Sequence, residues 1–254
     1  MRASAHWRAV DILSDLHLDA SDPLTARAFT DYLAGCDADA VFILGDLFEV
    51  WVGDDVLSAA PADASRRFIH SVCAALRDGA TRRPLYVMRG NRDFLLGSEF
   101  AGDTGATLLP DPALLDWGPH KFLLSHGDAW CLDDRDYLAF RTQVRSSAWQ
   151  DSFLARPLAE RETVARDLRA RSEARKRDPQ QTWADVDTAT ARQALKDHGA
   201  HVLVHGHTHR PAVHDLGDGL QRVVLSDWDA AAQPPRAEVL RLHADGQWQR
   251  RALL

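Results

Sequence analysis

The chain has 254 residues, 45% hydrophobic and 26% charged, with a formal net charge of −7. That is enough apolar content to bury a full core, in one large domain or a domain with an insertion, and the acidic balance argues against bulk nucleic-acid binding. Three scattered cysteines, Cys36, Cys73 and Cys131, show no CxxC spacing; they read as reduced thiols of a cytoplasmic protein rather than a disulfide framework.

The opening MRASAHWRAVDILSD has no apolar stretch followed by small residues, so no signal peptide is expected. Nor does any run approach the ~20 apolar residues of a membrane span. The first apolar run, AVDIL (9–13), predicts a buried strand that passes directly into Asp15 and His17 of SDLH. Strand side chains alternate faces, so residues two apart point the same way. A helical pattern over 24–34 precedes the strand AVFIL (40–44), which ends in GDLFE and carries Asp46. Residues 64–77 repeat at helical spacing and place Phe68, Val72, Ala75 and Leu76 on one stripe. PLYVM (84–88) ends in RGNRD with Asn91 and Arg92, and KFLLS (121–125) ends in SHGD with His126.

Residues 133–190 differ, being charged and helix-favouring with few strand signals, and predict a helical insertion. From 156 to 177 they hold eight basic residues against four acidic ones, by default a solvated face and otherwise a match for anionic head groups. Within the insertion Phe140, Val144, Trp149, Phe153, Leu154 and Leu158 recur every three to five residues. Two readings stay open for them: a helix core, or an acyl-chain groove or membrane-facing edge. HVLVH (201–205) then ends in HGHTH with His207 and His209, and RVVLS (222–226) closes the series. Strands alternating with helices predict an α/β protein.

Five strands thus end in polar clusters, and in open α/β sheets ligands collect beyond the strand ends. Each fragment alone has a plain explanation: a surface pair for D-x-H, a turn for GD, a left-handed loop for GNRD, a satisfied histidine pair for GHTH. Together, Asp15, His17, Asp46, Asn91, His126, His207 and His209 offer carboxylate, amide and imidazole donors, which suit manganese, iron or zinc. No thiol joins them, which argues against a structural zinc finger. Seven donors exceed one tetrahedral ion and suit two ions sharing a bridging carboxylate.

D-x-H, GD, GN-x-D, HGD and GH-x-H, in this order, resemble the calcineurin-like metallophosphoesterase family. SDLHL, LGDLFEVWVGDD, RGNRDFLLG, LLSHGDAWCLDD, VHGHTHRPAVH and RVVLSDW are similar to its branch that cleaves UDP-2,3-diacylglucosamine in lipid A biosynthesis. The likeness runs from about residue 9 to 229. It implies a four-layer αββα sandwich built from residues 1–132 and 191–254, with a helical cap over 133–190. It implies two Mn2+ ions, the first held by Asp15, His17 and His209, the second by Asn91, His126 and His207, with Asp46 bridging. The implied reaction is water attack on the uridine-side phosphorus, releasing UMP and 2,3-diacylglucosamine 1-phosphate. The implied substrate contacts are Asn91, Arg92, Asp134, Tyr137, Arg169, Ser172, Lys176 and His207. The expected setting is a monomer, peripheral on the anionic cytoplasmic face of the inner membrane, with no nucleic-acid partner.

Three departures stand out. Arg92 replaces the family's GNH histidine, which protonates an alcohol leaving group. An arginine suits a phosphate leaving group, which departs as a stable anion, because it neutralises charge on the phosphoryl oxygens; a structural pair with Asp93 or Asp134 is the alternative. Pro179 stands where the related enzymes carry a lysine, and Asp227 stands where they carry glycine before the tryptophan. Two rival functions are a nuclease or cyclic-nucleotide phosphodiesterase, which the confined basic patch disfavours, and a non-catalytic binding module, which needs no full donor set.

Overall fold

The computed structural model describes residues 1–60, 63–176 and 184–254, with backbone alone for 171–176. In chain order the first half comprises β1 (Ala9–Leu13), α1 (Pro23–Gly35), β2 (Ala40–Leu44), α2 (Ala64–Ala80), β3 (Leu85–Met88), α3 (Ser98–Thr104) and β4 (Thr107–Leu109). It continues with β5 (Ala113–Trp117), β6 (His120–Ser125), α4 (Arg135–Val144), α5 (Ser147–Leu154) and α6 (Leu158–Lys176). The rest is α7 (Thr188–His198), β7 (Val202–His205), β8 (Ala212–Gly217), β9 (Leu220–Val224), β10 (Glu238–His243) and β11 (Trp248–Ala252).

Two sheets result, one ordered β11-β10-β1-β2-β3-β4 and one ordered β5-β6-β7-β9-β8. The pairs β1–β2, β2–β3, β6–β7 and β7–β9 are parallel. Alternation along β1 and β2 explains the layering. Val10, Ile12, Ala40, Phe42 and Leu44 face the second sheet, against Leu115, Phe122, Leu124, Val204 and Val223. Leu13, Val41 and Ile43 face the other way, onto Phe29 and Leu33 of α1 and Val72 and Leu76 of α2. Both faces of β2 are therefore covered, which is why AVFIL is apolar without a break. On the far side, Leu123 and Leu203 pack under Ala191 and Leu195 of α7. Helix, sheet, sheet, helix is the four-layer sandwich expected.

Local signals place the helices. The Asp22 carboxylate accepts from the Thr25 amide at 3.1 Å with Pro23 opening α1, and Asp63 does the same for Arg66 at 2.8 Å in α2. One strand sits two residues earlier than RVVLS suggested. Asp218 and Gly219 both adopt positive φ (56° and 74°), so the turn after β8 closes tightly and β9 starts at Leu220. β4, β5, β8, β10 and β11 escaped the sequence pattern, β4, β5, β8 and β11 because as sheet edges they need little apolar sequence.

The elements between β6 and β7 are helical. Their apolar set divides: Val144 and Phe153 are buried, with Trp149 and Leu158 half-buried against the core, while Phe140 and Leu154 are exposed. Among the described residues no helix is long and apolar enough to cross a membrane.

Candidate metal centre

Every sequence-predicted donor lies beyond the carboxyl end of a parallel strand: Asp15 and His17 after β1, Asp46 after β2, Asn91 after β3, His126 after β6, His207 and His209 after β7. The chain makes sharp local turns to aim them. Asp15, His17, Asp46, His207 and His209 all adopt left-handed backbone, with φ of 56°, 48°, 52°, 66° and 52°. Such strain in non-glycine residues persists only where the surroundings enforce it, and it concentrates at functional sites. Gly45 (φ +92°) permits the approach of two of these loops, since a Cβ there would lie 2.7 Å from the Gly90 Cα.

The donors converge. Ligand atoms of Asp15, His17 and His209 lie within 4.8 Å of one another, and so do those of Asp15, Asp46 and His126. The Asp46 carboxylate faces both ways, Oδ2 lying 3.8 Å from His17 Nε2 and Oδ1 3.7 Å from His126 Nε2. Asn91 Oδ1 sits 2.9 Å from His126 Nε2 and 2.8 Å from His207 Nδ1. His17 Nε2 and His209 Nε2 are 3.3 Å apart.

Outer groups set the ring orientations. His126 Nδ1 donates to the Leu44 carbonyl at 2.9 Å, leaving Nε2 directed inward. His209 Nδ1 faces Asp227 Oδ2 at 3.7 Å, and Asp227 is itself gripped by Arg236 Nε and Nη2 at 3.0 and 2.9 Å. Asp227, the residue found in place of glycine, thus stands directly behind a donor. His17 Nδ1 faces Glu49 Oε2 at 2.8 Å. The backbone amides of His207 and Arg92 donate to Asp15 Oδ2 and Asp46 Oδ1, both at 2.8 Å, and buried Asp93 accepts from Gly90 and Leu47 amides at 2.7 and 2.8 Å.

The electrostatics suit cations. Asp15 is fully buried, which opposes its charge, but the imidazoles of His209, His126 and His17 hold the carboxyl well below its usual range. Burial likewise opposes charge on His126, yet Asp46, Asp128 and Asp15 bring it up to about 9. His207 is lowered to about 4 by burial and by His126. Asp15 Oδ1 is buried with no hydrogen-bond partner, an acceptor that a divalent ion would satisfy. The residues present fit a metal.

The predicted substrate contacts flank this cluster. Arg92 Nη1 faces Glu49 Oε1 at 3.5 Å, and Arg169 reaches the same oxygen with Nε at 3.2 Å and Asp19 with Nη1 at 3.2 Å. The Tyr137 ring stacks on His207 with centroids 5.9 Å apart, and its hydroxyl donates to buried Asp128. Asp134 Oδ1 accepts from the Tyr137 amide at 3.2 Å and caps α4. The side chains of Ser172 and Lys176, and all of Pro179, lie outside the described residues. Buried Cys131, its thiol pushed up to about 12 by burial, takes no part.

Glu49, Asp227, Asp93 and Asp128 were not predicted from sequence as site residues. Asp93 and Asp128 lie inside the GNRD and SHGD motifs, where adjacency to a donor was the available signal; Asp227 stood out only as a departure, and Glu49 carried no signal beyond its place after a strand.

The calcineurin-like phosphoesterase family model matches residues 9–211. The chain is 44% identical over 241 residues to a UDP-2,3-diacylglucosamine hydrolase of Bordetella pertussis, covering 92% of each. It is 47% identical over 226 residues to the protein of the same name from Chromobacterium violaceum, covering 87% of this chain and 90% of the relative. Among solved structures, TT1561 of Thermus thermophilus superposes with a TM-score of 0.50 at 12% identity, covering 98% of this chain and 100% of that one, a likeness of fold.

Proposed function

The chain belongs to the calcineurin-like phosphoesterase family and is a hydrolase, and from that premise we propose that it cleaves the diphosphate bond of UDP-2,3-diacylglucosamine. The products would be UMP and 2,3-diacylglucosamine 1-phosphate, placing the reaction in lipid A biosynthesis. One observation carries the reading. A cavity of about 350 Å³ is lined both by Phe94, Phe140, Trp149, Phe153 and Leu168 and by Asn91, Arg92 and Arg169. Apolar walls of that kind accept hydrocarbon while anion-binding groups in the same cavity hold phosphate. The curated relatives, named for a diacylated UDP-sugar, point the same way.

In this reading two divalent ions, manganese by expectation, would supply the Lewis acidity that activates water toward the phosphoryl group. Asp15, His17 and His209 would hold one, Asn91, His126 and His207 the other, with Asp46 between. Arg92, beside Asn91, neutralises charge growing on the phosphoryl oxygens, and Arg169 steadies the neighbouring phosphate. Residues 133–190 act as the lid: α4 reaches the cluster through Tyr137 on His207, α6 through Arg169 on Glu49. Leu132, Phe140, Leu154 and Leu168 are exposed among the arginines of this region, which supports peripheral contact with an anionic bilayer.

The test is release of UMP from UDP-2,3-diacylglucosamine with manganese added and then chelated. Activity that appears with the ion and disappears with chelator is expected, with bis-p-nitrophenyl phosphate a poor substrate. A metal-loaded enzyme that leaves the sugar lipid intact overturns the assignment. Flotation with liposomes of anionic and neutral composition tests the membrane contact; equal failure to float with both removes it.

A further inference from the structure

Glu49 is 7% exposed, yet it carries a charge that no apolar surroundings would tolerate without partners. Its position follows from the sheet. Beyond the ends of β1 and β2 the two chains keep running side by side: the His17 amide donates to the Asp46 carbonyl at 2.9 Å, Leu18 to Leu47 at 2.9 Å, and Glu49 to Leu18 at 3.2 Å. This pairing brings the Glu49 side chain under the imidazole of His17.

The two carboxylate oxygens then divide their work. Oε2 lies 2.8 Å from His17 Nδ1. Oε1 lies 3.2 Å from Arg169 Nε and 3.5 Å from Arg92 Nη1. His126 and His209 also have their Nδ1 atoms directed outward, to the Leu44 carbonyl and to Asp227. Neither of those partners touches an arginine of the site; Glu49 touches two, one from the β3 loop and one from α6. A carboxylate behind an imidazole fixes its tautomer and raises its basicity as a ligand, while a carboxylate between guanidinium groups holds them at a fixed separation.

Building on the functional reading above, we propose that Glu49 is a positioning residue that couples the metal ligand His17 to the anion-binding arginines Arg92 and Arg169. One side chain then sets both how tightly the first ion is held and where the diphosphate is gripped. A diphosphate then meets two guanidinium groups already held at a fixed separation, so the site recognises a doubly anionic linkage rather than a single phosphate.

The experiment measures the Kd of Mn2+ alone, by calorimetry on folded protein, for the wild type, Glu49→Gln, Glu49→Asp and Asp19→Asn. Loss of an outer carboxylate of this kind weakens metal binding by about 10–100-fold, and Glu49→Gln is expected to show it. Asp19→Asn touches Arg169 but not His17, so its Mn2+ Kd stays at the wild-type value. At saturating Mn2+ the Glu49→Gln KM for UDP-2,3-diacylglucosamine remains raised severalfold, because added ion does not restore the arginine grip. Glu49→Asp keeps the charge on a shorter stem and cannot reach both sides, so it too loses metal affinity or KM. If Glu49→Gln fails to fold, the Glu49→Asp values decide. Wild-type Kd together with wild-type KM in a folded Glu49 variant overturns the coupling, as does an equal loss of Mn2+ affinity in Asp19→Asn. A wild type that binds Mn2+ without cleaving the sugar lipid defeats the substrate assignment instead, and the Kd comparison still judges Glu49.

Discussion

At Arg92 the chain places a guanidinium directly beside the candidate ligand Asn91. Its backbone amide is committed to Asp46 Oδ1 at 2.8 Å and its Nη1 to Glu49 at 3.5 Å, so the fork is aimed along the metal cluster. A group that stabilises charge on a phosphoryl oxygen contributes on the order of 10²–10³ in rate. Arg92→Ala should therefore lower kcat/KM by about that factor in steady-state UMP release, while the backbone bond to Asp46 survives and Mn2+ affinity is retained. Arg92→Lys should recover only part, having the charge without the planar fork, and Arg92→His should not recover it. Near-normal rates in Arg92→Ala would leave the arginine a structural role only. The donors themselves were legible because polar residues directly after apolar strands are costly and their chemical types agree. Glu49 was not: nothing in GDLFE marks its charge as buried, and only the continued pairing of two loops buries it.

Among the helices, α1 and α2 were readable from their helical spacing, while the Asp22 and Asp63 caps that fix their starts emerged with the structure. α6 was readable as a helix but not in its attachment, since LAERETVARDLRARSEARK has almost no apolar face. The structure shows a polar attachment. Arg161 is 1% exposed and donates to the Val52 carbonyl and to Asp55, and Arg66 of α2 holds Glu162 at 3.2 Å. Arg161→Met would leave the buried carbonyl unpaired and cost about 1–3 kcal/mol. Amide exchange over 158–170 should then rise well before the sheets lose protection; unchanged exchange would refute the anchor. A second polar tie precedes α7, where Arg222 holds Asp185 through contacts of 2.7 and 3.0 Å and brings its carboxyl down from 3.8 to about 2. The folded value lies below the unfolded one, so the stabilisation is complete above about pH 4 and is lost as pH falls toward 2. Asp185→Asn should cost about 1 kcal/mol at neutral pH, the half-exposed carboxylate being screened by water. Urea midpoints of variant and wild type should converge between pH 4 and 2, and a constant gap down to pH 2 would exclude the pair as its source.

Across the whole molecule, the two sheets meet through one apolar layer, and the candidate ligands are divided between them. Asp15, His17, Asp46 and Asn91 extend from the first sheet; His126, His207 and His209 extend from the second. Ions held by both sets would tie the sheets together at their carboxyl ends, where five donors hold strained left-handed backbone. Such ions bind the folded chain and not the unfolded one, whose ligands are far apart, so binding adds directly to stability. With free Mn2+ at about a hundred times its Kd the gain is about 2.7 kcal/mol per site, equivalent to about 5–10 °C in Tm for a chain of this size. Chelation of the loaded protein should lower Tm by that amount for each ion removed, and excess Mn2+ should restore it. Asp46→Asn separates this linkage from a general effect of salt. The variant loses the carboxylate that faces both His17 and His126, so its Tm should respond weakly to Mn2+ while its urea-unfolding m-value stays that of the wild type. A Tm in Asp46→Asn that still rises fully with Mn2+ would mean that the ions bind elsewhere and that the two sheets are held by their apolar layer alone.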